Sequence, residues 1–184
     1  MVPNTQVAKG ESERTMSELQ TIQDLYRYNS FVRKKYLRLI FSNKVPPSER
    51  YKSKGASFPS IVDIFVHVLD AYRWWFLFVY NDRMKDWKRL REQKQYTKEE
   101  VAKEEHKIDS HVIGFVSSLK SSDLQRRIKD QRRGRTLELR QMLLHMVEEE
   151  LQHRGEMNAL LWRHGIEPPV VGIQEWPGRR ILDG

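Results

Sequence analysis

The sequence contains no cysteine, which excludes disulfides and any cysteine-ligated zinc or iron–sulfur centre and leaves histidine and carboxylate as the strong metal ligands. The same absence accords with a cytoplasmic protein, which is the expected location. Prolines and glycines are few, 7 and 9 in 184 residues, and the apolar spacings are mostly helical, so an all-helical domain is expected. No long apolar run is free of charge. Residues 61–80 are long enough to span a bilayer, but they contain Asp63, His67, Asp70 and Arg73. Each charge at bilayer depth would cost about 2.5–3.5 kcal/mol, so the segment reads as a buried helix and no membrane partner is expected. The first 15 residues lack the apolar core of a secretory signal and have no periodicity. They are expected to form a disordered leader ahead of one domain over residues 16–184.

Basic residues outnumber acidic ones 33 to 25, for a formal charge of +8. Such a balance raises the question of nucleic acid. The basic runs at 85–94 and 126–135 have little aromatic interleaving beyond Trp87 and Tyr96 and match no nucleic-acid motif. A solvated basic face is the expected account, and a nucleic-acid partner is not expected.

Four helical segments follow from the pattern. The first opens at Ser17, with Gln20 three residues on as in a capping box, and runs to about residue 41 on the stripe Ile22, Leu25, Val32, Tyr36 and Ile40. Asn29 is the uncharged polar member of that stripe. A connection over 42–59 holds Pro46, Pro47, Gly55 and Pro59 and cannot continue the helix. Ser60 then offers an N-cap for a second helix to about Tyr80, apolar nearly all round, on which Asp63, His67, Asp70 and Trp74 share one face within about 60°. Residues 81–96 read as a loop or partial helix. Thr97 and Glu100 form another capping-box pattern for a third helix to about Leu119. An arginine-rich connector at 121–134 is expected next, with Thr136 opening the last helix and Gly165 closing it before Pro168 and Pro169. The tail is expected to lie on the bundle, held by Ile173 and Trp176. Four such helices with long connections make an all-α four-helix bundle, whose sites form in the core from facing helices.

The last helix carries the chemical signal. With His153 as zero and 100° per residue, Leu139, Met142, Met146, Met157 and Leu160 fall within about 40°, and so does Glu149. A carboxylate and an imidazole at i, i+4 therefore sit in the stripe that should enter the core, where an unpaired polar group costs roughly 1–3 kcal/mol and an unpaired charge more. One answer is a divalent metal shared with His67 of the second helix, since two imidazoles and a carboxylate make an open site for zinc, iron(II), nickel or manganese. The other is a buried ion-pair network, Glu149 and His153 pairing with each other or with Arg33 or Arg73. Spacing alone leaves both open. His145 lies about 80° to the side and is expected, in place of a fourth ligand, to support the ligands or stand in a pocket wall. His106, His111 and His164 read as surface or satisfied histidines, and the methionines as packing.

The segment LLHMVEEELQHRGEMNALLWRHGIEPP resembles the last helix of the DinB/YfiT-like superfamily, which carries H-x-x-x-H-R-G, an apolar run and L-G-x-x-P-P. SIVDIFVHVLDAYRWWF resembles that family's second helix with its metal-binding histidine, and LYRYNSF its first-helix Y-N-x-W region. The resemblance covers about residues 17–176. It implies a four-helix bundle, often dimeric, with a divalent metal held by three histidines. His67 and His153 match two of those positions, while Glu149 stands at the third. A carboxylate is a harder ligand and adds a negative charge, so the identity of the metal does not carry over. Arg154 and Gly155 match the R-G, with the glycine expected to allow close helix approach and the arginine to reach a carboxylate of a neighbouring helix. Asp63 and Asp70 are expected to orient His67 or Arg154, or to be ordinary buried salt-bridge partners. Tyr26, Asn29 and Trp74 are expected pocket residues.

The back of the last helix is apolar too, with Leu144, Leu151 and Trp162 at about 160–180° from His153. An isologous homodimer or cover by the tail would explain it, and the dimer is favoured. The functional expectation is a metal-dependent hydrolase or thiol S-transferase acting on a small molecule. The alternatives are a non-catalytic dimeric interaction module and a nucleic-acid-binding basic protein.

Overall fold

A computed structural model describes residues 17–52, 57–88, 90 and 95–178, so the expected leader falls outside the described residues. Four long helices form the bundle: α1 (Glu18–Ile40), α3 (Ile61–Arg73), α4 (Lys98–Ser118) and α5 (Leu139–Arg163), with a short α2 (Pro47–Arg50) in the first connection. Each start has a local cause. Ser17 accepts the Gln20 N–H at 3.2 Å, Ser60 the Asp63 N–H at 3.0 Å, and Thr97 and Glu100 bond reciprocally at 3.2 and 3.0 Å. An N-cap of this kind is worth about 1 kcal/mol. α5 ends on Gly165, whose φ of +67° suits a residue without a Cβ. The Ile166 N–H then reaches the Leu161 carbonyl and the Gly165 N–H that of Trp162, both at 2.9 Å, which closes the helix in a Schellman motif.

α3 packs against α5 and α4, and α1 against α4 and α5. The core between them holds Ile22, Tyr26, Tyr36, Ile64, Leu69, Tyr72, Phe76, Met142, Leu143 and Met146, all buried. The methionines of the α5 stripe are packing residues here. α3 is the helix with buried residues on nearly every side, and Asp63 and Asp70 are buried with it. Those charges keep it from reading as a membrane span, and among the described residues no helix is long and apolar enough to cross a membrane. The chain continues past Arg73 as a π-helical turn, Trp74–Val79. Such widened turns recur at functional sites.

Two expectations change. The stretch read as a connector contains a 3-10 turn, Ser121–Gln125, and a hairpin of β1 (Arg127–Asp130) and β2 (Arg135–Glu138), antiparallel with Ile128 opposite Leu137 and Lys129 opposite Thr136. Thr136 therefore lies in a strand, and α5 opens at Leu139, where the Glu138 N–H donates to the Gln141 side chain at 2.8 Å. The strands hold because Ile128 and Asp130 turn inward while Arg127 and Lys129 face water, a period of two. Gly134, at φ +62°, completes the turn. The second change concerns the tail. Trp176 is buried edge-on against Tyr28, at 6.3 Å between ring centres, but Ile173 is 57% exposed. The tail is tied down by backbone instead, through the Tyr28 hydroxyl to the Val171 carbonyl and Lys35 to that of Val170.

Candidate metal centre

The packing of α3 on α5 brings His67 opposite the turn that carries Glu149 and His153. One carboxylate oxygen, Glu149 Oε1, lies 3.3 Å from His67 Nε2 and 3.2 Å from His153 Nε2. The three donor atoms all fall within 4.8 Å of one another. The imidazole rings are 4.8 Å apart and nearly perpendicular. Phe58, from the connection before α3, stacks on His67 at 4.2 Å and meets His153 edge-on at 5.6 Å. On the other side of its ring, His153 Nδ1 lies 3.1 Å from Glu156 Oε2. A carboxylate on the far nitrogen of an imidazole fixes its orientation and leaves Nε2 to face a shared centre.

The electrostatics match the geometry. Hydrogen bonds from His153 first and His67 second hold the Glu149 carboxyl far below the usual range, against the opposing effect of burial. Burial disfavours the charged form of His153, but the hydrogen bonds and negative charge of Glu149 and Glu156 outweigh it and raise its pKa above 6.5. A cluster of two imidazole nitrogens and one carboxylate oxygen, concentrated on one point, fits a divalent cation.

The arginines that could have claimed Glu149 are engaged elsewhere. Arg33 is buried and donates to Glu150 at 2.7 Å and Asp109 at 2.8 Å, with Glu105 at 3.8 Å. Tyr72 adds its hydroxyl to the same Glu150 oxygen at 2.6 Å. Arg73 pairs with Asp70 at 2.8 Å and Glu104 at 3.3 Å. Among the described residues no arginine or lysine forms an ion pair with Glu149, whose pairings are with the two histidines. Two successive glutamates thus divide: Glu149 faces the imidazoles, while Glu150, turned by about 100°, serves the bundle core.

A cavity of about 130 Å³ opens beside the cluster, walled by His67, Glu149, His145, Asp70, Trp74 and Trp75, with Trp87 and the hairpin residues Asp130, Arg132 and Arg133. His145 lies in this wall, its ring 5.5 Å from that of Trp75. Of the three expected pocket residues, Trp74 lines the cavity. Tyr26 and Asn29 lie instead in the core, Tyr26 edge-on to Tyr72 and Phe76 with its hydroxyl donating to the Leu143 carbonyl at 2.9 Å. Asp63 accepts from the Ser60 hydroxyl at 2.6 Å at the start of its own helix, and Asp70 takes Arg73, the ordinary salt-bridge alternative. Arg154 is buried over the Tyr28 ring at 5.6 Å. Gly155 is exposed, and a Cβ there would meet nothing within 4 Å, so no close helix approach explains it.

Sequence reasoning missed Glu156, Phe58, Glu150 and the two hairpin arginines. Glu156 had a usable signal, its i, i+3 spacing from His153 on the same helix. Residues 16–176 match the DinB family when the chain is compared with models of known families. No curated protein matches it.

Proposed function

The chain belongs to the DinB family, and from that premise we propose that it is a divalent-metal-dependent enzyme for hydrolysis or thiol transfer on a small molecule, with His67, Glu149 and His153 as ligands. The observation that carries the reading is the single Glu149 oxygen within 3.3 Å of both Nε2 atoms. His67, Glu149 and His153 would hold a divalent cation, which would make a neighbouring water or thiol easier to deprotonate near neutral pH. The protein's own residues prepare that centre. Glu156 holds His153 by Nδ1, and the Phe58 ring stacks on His67 and meets His153 edge-on. On the open side, His145 stands in the cavity wall, where its imidazole can hydrogen-bond a bound molecule.

Elemental analysis of tag-free protein purified without added metal tests this, beside His153→Ala and Glu149→Ala. Near-stoichiometric metal in the wild type and background levels in both variants are expected. A wild type still empty after incubation with zinc, nickel, iron(II) and manganese would refute it and leave a histidine–glutamate ion-pair cluster. For the assembly we propose an isologous homodimer through the back of α5, where Leu144, Leu151 and Trp162 are 45%, 48% and 60% exposed. Sedimentation should show a dimer that Trp162→Glu dissociates.

A further inference from the structure

The cavity beside the histidine–glutamate cluster is walled by three carboxylates and two arginines, Arg132 and Arg133. All three of its carboxylates are engaged. Asp70 holds Arg73 at 2.8 Å, Glu149 lies between the imidazoles, and Asp130, 1% exposed, accepts the Arg133 N–H at 3.2 Å and pairs with Arg135 at 3.4 Å. The two guanidinium groups of the wall are not neutralised in this way. Arg132 lies over the Trp74 ring at 5.7 Å, and among the described residues neither Arg132 nor Arg133 forms an ion pair. Both sit on the hairpin turn, which is fixed at one end by the Asp130 contact and tied to the segment after Val79 by the Gln131–Asp82 hydrogen bond.

The rest of the wall is aromatic. Trp74 and Trp87 meet edge-on at 4.9 Å, with Trp75 beside them. The Trp87 indole N–H is buried with no hydrogen-bond partner among the described residues. Two free guanidinium forks and a spare N–H on an indole surface form the recognition chemistry of a carboxylate or phosphate carried on a flat apolar body. A volume of about 130 Å³ is close to that of a cavity that admits a single benzene ring, about 150 Å³, so the cavity takes a small molecule and not a nucleotide or peptide.

We propose that the cavity binds a small anion, a carboxylate or phosphate monoester on an aromatic or otherwise flat body, with Arg132 and Arg133 gripping the charge and the remainder lying on the tryptophans toward His67 and Glu149. As a statement about substrate class this rests on the metal-centre reading. As a statement about binding it stands on the cavity alone.

The test is titration of tryptophan fluorescence with benzoate, phenyl phosphate and the neutral benzamide, on protein as purified and after zinc loading, with zinc content measured in each sample. Benzoate or phenyl phosphate should bind at least tenfold more tightly than benzamide. Arg132→Gln/Arg133→Gln should remove that preference, and Lys129→Gln, which changes an exposed charge on the same hairpin outside the cavity, should leave it intact. Because the turn arginines are exposed, the variants should keep the wild-type melting temperature. Protein that holds zinc but shows no anion preference, or whose preference survives the double substitution, overturns the inference and spares the metal centre. Anion binding that needs both arginines in protein that never takes up metal upholds the anion site and removes the metal reading.

Discussion

Replacing Glu150 with alanine and, separately, Glu149 with alanine should give opposite phenotypes from adjacent positions. The Glu150 side chain is 4% exposed and accepts from Arg33 at 2.7 Å and from the Tyr72 hydroxyl at 2.6 Å. Removing it leaves a buried guanidinium with one close partner, Asp109, and the buried Tyr72 hydroxyl without its carboxylate acceptor. Breaking a buried pair by deleting one partner costs about 3–5 kcal/mol. For a chain of this size each kcal/mol moves the midpoint by about 2–4 °C, so the melting temperature should fall by roughly 6–20 °C. The Glu149 side chain is 24% exposed, and the partners it leaves are two imidazoles and no guanidinium. Its loss should cost about 1 kcal/mol in metal-free protein while abolishing metal retention. Urea or thermal unfolding followed by circular dichroism, paired with metal analysis, reads both effects. If Glu150→Ala unfolds within 1 kcal/mol of wild type, or Glu149→Ala is the less stable of the two, the division of roles between these glutamates is wrong.

Protons and metal should act on this centre with opposite slopes. In metal-free protein the raised pKa of His153 contributes stability that is complete below its ordinary 6.5 and lost as pH rises through the raised value, whereas the depressed pKa of Glu149 contributes stability present above its ordinary 4.5 and lost only in strong acid. The cluster should therefore stabilise the metal-free protein most between about pH 4.5 and 6.5. Metal binding must displace the His153 proton, so the rise in melting temperature on adding zinc should grow from pH 5.5 to 8; a rise that shrinks over that range would show that His153 is not a ligand. Glu156→Ala should retain metal but bind it about 10- to 100-fold more weakly by competition with a chelating dye, and an unchanged affinity would leave Glu156 without a role at the centre. Gly155→Ala places a methyl where nothing lies within 4 Å, on an ordinary helical turn, and should stabilise the protein by about 0.5–1 kcal/mol in urea unfolding. A loss instead would mean that something outside this chain packs against that turn.

The parts of the fold legible in the sequence are those fixed by neighbours within one turn. Ser17, Ser60, Thr97 and Gly165 mark helix ends because capping depends on residues no more than a few positions away. The α5 stripe likewise needs only the 3.6 period. The hairpin was illegible for the converse reason. Each strand has four residues, five of the eight being charged, and the inward side chains of β1, Ile128 and Asp130, make too short an alternation to stand out from an arginine-rich loop. Phe58 could not be read either, since a phenylalanine in a connection acquires its place only when that connection folds over two imidazoles from different helices. Tyr26 and Asn29 were assigned to a pocket because a polar group on an apolar stripe announces burial without saying against what, and here they pack beside Tyr72 in the core.

The neighbouring glutamates show where periodicity stops being sufficient. Glu149 falls about 40° to one side of His153 and Glu150 about 60° to the other, so both flank the same buried face and helical spacing offers little to choose between them. Their partners decide. Arg33 of α1 lies on one flank with Asp109 and Tyr72 around it, and His67 of α3 lies on the other. With Arg33 committed to Glu150, no arginine or lysine among the described residues pairs with Glu149, and the acid beside the imidazoles stays available to a cation that can enter and leave. A second cation fixed near Glu149 would raise the cost of binding a metal there. The buried network around Arg33 therefore does more than hold α1, α4 and α5 together: it keeps a fixed positive charge away from the site that a divalent ion would fill.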